Sequence, residues 1–242
     1  MSEVRIGTAG WAVPRQTAEA FPSDGSTLER YAARFDAAEI NSSFHRSHRP
    51  ETWERWAASV PPDFRFAVKL PKTITHQQRL VDCDAMLARF AEEIAPLGEK
   101  RGPLLVQLPP SLVFDNEVAE TFFATASSTL GCDIVCEPRH PSWFAPDADA
   151  FLRDLRIARV AADPAPVPEA QQPGGWPGLI YVRLHGSPRT YWSHYDESAL
   201  RDWAERVGPF VRQGIPTWII FDNTAGGGAA GNALRFRDLL AE

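Results

Sequence analysis

Short apolar runs of seven or eight residues recur along the chain, separated by amphipathic segments. They are VRIGTAG (4–10), AAEINSSF (37–44), FRFAVKLP (64–71), PLLVQLP (103–109), DIVCEPR (133–139), ARVAADP (158–164), LIYVRLHG (179–186) and TWIIFDNT (217–224). Their brevity and their β-branched and aromatic content predict eight strands. The segments between them carry helix punctuation. Ser26 and Glu29 have capping-box spacing, Pro50 suits a first turn, and Asp115 suits an N-cap with Gly131 as the stop. DAMLARFAEEIAPLG places Met86, Leu87, Phe90 and Ile94 at helical spacing and ends at Gly98. APVPEAQQPGGWPG, after the sixth strand, reads as a loop with little or no helix.

Strands that alternate with helices imply a parallel sheet and an α/β fold. Eight such units in 242 residues fit a small (β/α)8 barrel of the TIM type. The missing or very short helix after strand six makes it degenerate. The alternative is an open doubly wound sheet, but no Gly-x-Gly-x-x-Gly follows the first strand. No repeat or low-complexity linker divides the chain, so one domain over 1–242 is expected.

Side chains alternate faces along a strand. Tyr181, Arg183 and His185 oppose Ile180, Val182 and Leu184. Glu39, Asn41 and Ser43 oppose Ile40 and Phe44, and Lys69 opposes Val68 and Leu70. Gln107 opposes Val106 and Leu108, while Glu137 and Arg139 oppose Ile134 and Cys136. The face under the helices must be apolar, so the polar face points inward. Five strands therefore aim acids, bases and amides at the axis near their C-terminal ends, where such barrels carry catalytic groups. One such residue reads as a structural network, because buried charges rarely add net stability. Five strands with the same bias read as a site.

Lys69, Arg139 and Arg183 outnumber Glu39 and Glu137 by one, before histidines, Asp163 or Asp222 are counted. The surplus suits a phosphate or carboxylate ligand; pairing of every cation with an acid is the competing reading. The glycine-rich DNTAGGGAAGNAL offers amides at a helix start. GSPRTYWSHY supplies Arg189, Tyr191, His194 and Tyr195 as a cover, with Trp192 expected to pack over the mouth. Trp53 and Trp56 are expected to pack a helix onto the barrel.

A metal centre is the main rival. Glu39, Glu137, His140, His185 and Asp222 are ligand types, but no His-x-x-x-His spacing exists and the cations oppose a divalent ion. No metal and no cofactor is expected. No Gly-x-Ser-x-Gly elbow supports serine chemistry. Cys83, Cys132 and Cys136 read as free thiols; Cys132 and Cys136 fall roughly 13 Å apart along one strand.

Composition is ordinary for a globular protein. The net charge of −6, without like-charge runs, makes nucleic acid an unfavoured partner. No apolar run approaches the ~20 residues of a membrane span, and VRIGTAG follows the start without a signal peptide. A soluble, cytoplasmic protein with no membrane partner is expected. Only three lysines occur among 25 Lys and Arg residues, which singles out Lys69.

GTAGW, EINSSFH, FAVKLPKTITH, GPLLVQLPPSL, EPRHPSWF, YVRLHG and DNTAGGGAAGNA occur in this order between Ile6 and Ala233. Together they resemble the family called domain of unknown function 72, or YecE-like. The resemblance implies a TIM-type barrel. It also implies characteristic polar positions at Glu39, Asn41, Lys69, Thr75, His76, Gln107, Glu137, Arg139, His140, Ser142, Trp143, Arg183, His185, Asn223 and Asn232. His45 stands where the family has Tyr. The resemblance implies no activity.

The expected function is a metal-independent enzyme on a small anionic or sugar-like ligand at the C-terminal mouth. Glu137 or Glu39 would be the general base or acid, with His185 or His140 as partner. Lys69, Arg139 and Arg183 would bind the anion, with His76 beside them, and Gln107, Asn41 and Asn223 would orient the substrate. Arg183→Ala or Glu137→Ala should then abolish binding and leave the fold largely intact. The alternatives are a metal-dependent phosphodiesterase or sugar isomerase-like barrel, and a non-catalytic ligand or nucleic-acid binder.

Overall fold

The computed structural model describes residues 4–242; residues 1–3 lie outside the described residues. The strands are β1 (Val4–Ala9), β2 (Ala37–Ile40), β3 (Arg65–Lys69), β4 (Arg101–Gln107), β5 (Ile134–Glu137), β6 (Ala158–Arg159), β7 (Ala161–Asp163), β8 (Gly174–Gly175), β9 (Ile180–Leu184) and β10 (Thr217–Phe221). The helices are α1 (Thr27–Ala32), α2 (Pro50–Ala58), α3 (Asp84–Ile94), α4 (Asn116–Leu130), α5 (Pro146–Asp154), α6 (Glu197–Arg212) and α7 (Ala229–Ala241).

The strand order is β7-β9-β10-β1-β2-β3-β4-β5-β6-β8, and only the β6–β8 pairing is antiparallel. β6 and β7 are the halves of the expected sixth strand, parted at Val160. The first half pairs with β5 and the second with β9, so this strand carries the sheet round into a TIM-type barrel. The segment after it forms one 3-10 turn, Pro168–Gln171, where a full helix would otherwise lie.

Local sequence sets most boundaries. Ser26 and Glu29 form the capping box of α1, Asp115 accepts from the Val118 N–H, and Gly131 ends α4 at φ 59°. α3 stops at Ile94, short of the expected Gly98. Pro96 has no N–H to continue the ladder, and the chain tightens into a 3-10 turn over Ala95–Lys100.

Two apolar cores result. The outer one lies between strands and helices and takes in Trp53, wholly buried, with Trp56 packed beside it at 5.2 Å between ring centroids. The inner one fills the barrel with Leu105, Val135, Val160, Tyr181, Trp218 and Ile220. Small residues face these rings: a Cβ on Gly102 would stand 2.6 Å from the Trp218 ring. Tyr181 and Trp218 stack at 6.1 Å, and Arg5 lies 5.7 Å from the Trp218 ring while donating to the Asp36 and Asp63 carbonyls. These large rings occupy the interior below the C-terminal ends of the strands, where polar side chains gather.

Candidate active site

Arg183, on β9, is wholly buried and surrounded by three carboxylates. Its guanidinium donates to Glu39 at 2.7 and 3.1 Å, to Glu137 at 2.5 Å and to Asp222 at 3.0 Å. The Tyr181 hydroxyl donates to Glu39 Oε2 at 2.8 Å. Glu137 Oε1 also accepts from Gln107 at 3.2 Å and from Arg139 at 3.0 and 3.2 Å. His185 lies between two acids, with Nε2 3.1 Å from Glu137 Oε1 and Nδ1 2.9 Å from Asp222 Oδ2. Strand alternation places all of these groups inward.

The charges set one another's ionisation. Burial pushes Glu137 up, but Arg183, His185 and Arg139 hold its carboxyl well below the ordinary 4.5. Burial is likewise overcome at Asp222 by Arg183 and His185, which lower it from 3.8. Burial opposes the His185 imidazolium, yet the Glu137 charge raises that ring above 6.5.

The lowered acids contribute stability that is present above about 4.5 and lost as pH falls through their depressed values. The raised His185 contributes stability that is complete below 6.5 and lost as pH rises through its folded value. Urea unfolding midpoints across pH are therefore expected to fall on the acid side of 4.5, and His185→Gln should shrink the acid-to-neutral advantage. A midpoint that stays flat below 3.8 would contradict the ionised cluster.

A second layer lies nearer solvent. Lys69 is 8% exposed, and its Nζ stands 4.1 Å over the Phe44 ring. Among the described residues its ammonium makes no hydrogen bond or ion pair. Burial and the nearby Arg183 pull this amine down to about 8, against the opposing charges of Glu137, Glu39 and Asp222. His76 packs edge-on against Phe44 at 5.0 Å; burial, Lys69 and Arg139 all depress its pKa. The Arg139 side chain is 29% exposed. Tyr191 has its hydroxyl beside Arg139 and its ring 5.8 Å from His185, on a backbone at φ 69° that non-glycine residues seldom adopt.

Several expectations need revision. Asp222 joins the cluster, so three carboxylates face Lys69, Arg139 and Arg183, and the expected surplus of positive charge rests on His185 alone. His140 accepts from the Ser142 N–H at 3.2 Å and caps the turn Pro141–Phe144; no hydrogen bond ties it to the Arg183 cluster among the described residues. Asn223 is wholly buried and donates to the Ser193 carbonyl and to Asn232, so it clamps a loop rather than facing the mouth. Asn41 starts the turn after β2 and lines a neighbouring cleft of about 630 Å³ with Trp11, Arg46, Arg49 and Trp56. The glycine-rich loop before α7 lies against the 186–195 segment, where a Cβ on Gly226 would meet the Trp192 carbonyl at 2.3 Å. Its glycines thus serve close backbone packing. Trp192 itself is 49% exposed rather than packed over the mouth. Tyr181 and Asp222 were not among the expected catalytic or binding residues, although alternation along β9 and β10 puts both on the inward face. Among the described residues, no group of three or more His, Cys, Asp or Glu side chains is placed to hold a metal ion.

The description "Protein of unknown function DUF72" belongs to a family model that matches residues 5–242. The chain belongs to this family. Among DUF72 relatives, UPF0759 protein YecE of Escherichia coli is 30% identical over 173 residues, which are 69% of this chain and 62% of that protein. The match thus spans less than two thirds of YecE. UPF0759 protein YunF of Bacillus subtilis is 24% identical over 98% of this chain and 94% of its own length. A crystal structure of a DUF72 family protein from Thermotoga maritima superposes with a TM-score of 0.81 at 26% identity, covering 99% of this chain and 100% of that one. Among the described residues, no helix is long and apolar enough to cross a membrane.

Proposed function

We propose that this DUF72 protein is a metal-independent enzyme acting on a small anionic, sugar-like substrate at the C-terminal mouth of the barrel. The observation that carries this reading is the layering of charge. Glu39 and Glu137 lie beneath, gathered round Arg183, while Lys69, Arg139 and His76 stand nearer solvent, with Asp222 at their level. Cations placed so meet a phosphate or carboxylate first, and Arg139 offers the forked geometry such groups favour. Metal independence is supported by Arg183, whose guanidinium already engages the carboxylate oxygens that a divalent ion would need.

In this reading Glu39 and Glu137 hold Arg183 and His185 rather than reach substrate. Asp222 accepts Arg183 and His185 through Oδ2, and its Oδ1 makes no hydrogen bond among the described residues. Its carboxylate is the group that exchanges a proton with substrate, and His185 couples it to Glu137. Gln107 orients the substrate. Incubating the protein with a panel of phosphorylated and carboxylated sugars, followed by mass spectrometry, tests this. Wild type should consume at least one compound that Asp222→Asn leaves untouched; an unchanged panel with both proteins would refute catalysis here.

A further inference from the structure

We propose that Lys69 is a nucleophilic amine that captures the carbonyl carbon of the substrate as an imine. This deepens the reading above and rests on it: the ligand would be an anionic aldehyde or ketone, held by Arg139 and joined to the chain at Nζ.

A lysine so buried is ordinarily found paired with an acid. Lys69 lies among Glu39, Glu137 and Asp222, but the oxygens that Glu39 and Glu137 present are occupied by Arg183, Tyr181, Arg139, Gln107 and His185. Its ammonium meets an aromatic face instead, a weak substitute for a charged hydrogen bond. The backbone beneath it is fixed. The Ser43 hydroxyl donates to the Lys69 carbonyl at 2.7 Å, and the Leu70 N–H donates to the Leu105 carbonyl at 3.0 Å. A rigid strand end with a desolvated amine at a solvent-facing mouth is the arrangement that activates lysine as a nucleophile.

The groups around the amine are Arg183, Glu137, Glu39 and Asp222, with His76 feeling both Lys69 and Arg139. The cations favour the neutral amine and the acids oppose it; burial tips the balance, so the amine titrates near about 8 rather than 10.5. The step balances without an oxidant or reductant. The nitrogen lone pair forms an N–C bond while the C=O π pair moves to oxygen, which takes the proton that the nitrogen releases. The carbinolamine then loses its hydroxyl as water with one further proton, leaving a protonated imine.

The test uses the full chain with glyoxylate and, separately, glyceraldehyde 3-phosphate, each trapped with cyanoborohydride and mapped by peptide mass spectrometry. Lys72 and Lys100 are the competing lysines, and the α-amine that starts the chain is mapped as its own peptide. The expected result is a secondary-amine adduct concentrated on Lys69, with a rate that rises to half its maximum near pH about 8. Adduct on Lys69 no greater than on Lys72 and Lys100 with both probes would overturn the proposal. Lys69→Arg separates this outcome from failure of the binding reading. If calorimetry shows phosphate binding retained in wild type and variant while neither traps adduct, Lys69 is only an anion ligand and the imine is refuted. If neither probe nor inorganic phosphate binds wild type, the anionic-substrate reading falls as well.

Discussion

Arg183→Ala is expected to cost about 3–5 kcal/mol of folding stability, because it strips buried carboxylates of the cation they share. Glu39, Glu137 and Asp222 all converge on the guanidinium, and Glu39 and Glu137 are essentially unexposed. Without it, Glu39 keeps no cationic partner and Glu137 and Asp222 lose one each, so the cluster must take up protons or open. This reverses the expectation from sequence that the variant would keep its fold and lose only a ligand. Alternation shows that Arg183 points inward, but not that three acids are already spent on it. Urea denaturation of wild type, Arg183→Ala and Arg183→Lys near neutral pH measures the effect. Lysine keeps the charge but not the fork, so it should fall between the other two. An Ala variant within about 0.5 kcal/mol of wild type would mean that the acids are not ionised in the folded protein.

Arg139→Ala is expected to do the opposite: weaken binding of glyceraldehyde 3-phosphate by about tenfold to a hundredfold while moving stability little. A charge-assisted hydrogen bond to an anion is worth about 1.5–3 kcal/mol, and each 1.4 kcal/mol is about tenfold in affinity. The side chain is 29% exposed, and Glu137 retains Arg183, His185 and Gln107 when Arg139 is removed. Isothermal calorimetry on both proteins, with matched unfolding curves, separates binding from stability. Equal affinity in the two would remove Arg139 from the anion site and with it the main support for a charged substrate. The pair of variants also sorts the two layers: the inner arginine reports on folding, the outer one on ligand.

Much of the architecture was legible because its causes are local or periodic. The alternation of β9 separates Tyr181, Arg183 and His185 from Ile180, Val182 and Leu184 wherever the strand sits. The Ser26–Glu29 capping box and the Asp115 cap need only residues three apart. The Pro- and Gly-rich stretch after the sixth strand forms a single turn of 3-10 helix because it lacks a continuous helical run. Pairing within the site was not legible. His140 stands beside Glu137 and Arg139 in sequence, yet it turns to cap Pro141–Phe144. Asn223 follows Asp222 by one residue and therefore points to the other side of the strand end, toward Ser193 and Asn232.

The sequence by itself determined the α/β alternation, the polar face of each strand and the end of the barrel where these faces gather, because periodicity and capping depend on neighbours a few residues away. Only the tertiary structure decided which charges neutralise one another. Glu39, Glu137, Arg183 and Asp222 come from four strands or strand ends far apart in the chain, and their separations depend on how the sheet closes through β6 and β7. That closure surrounds Arg183 with three acids and leaves Lys69 without a hydrogen-bonding partner among the described residues. Burial then turns the arginine into a keystone of the fold and the lysine into the reactive candidate.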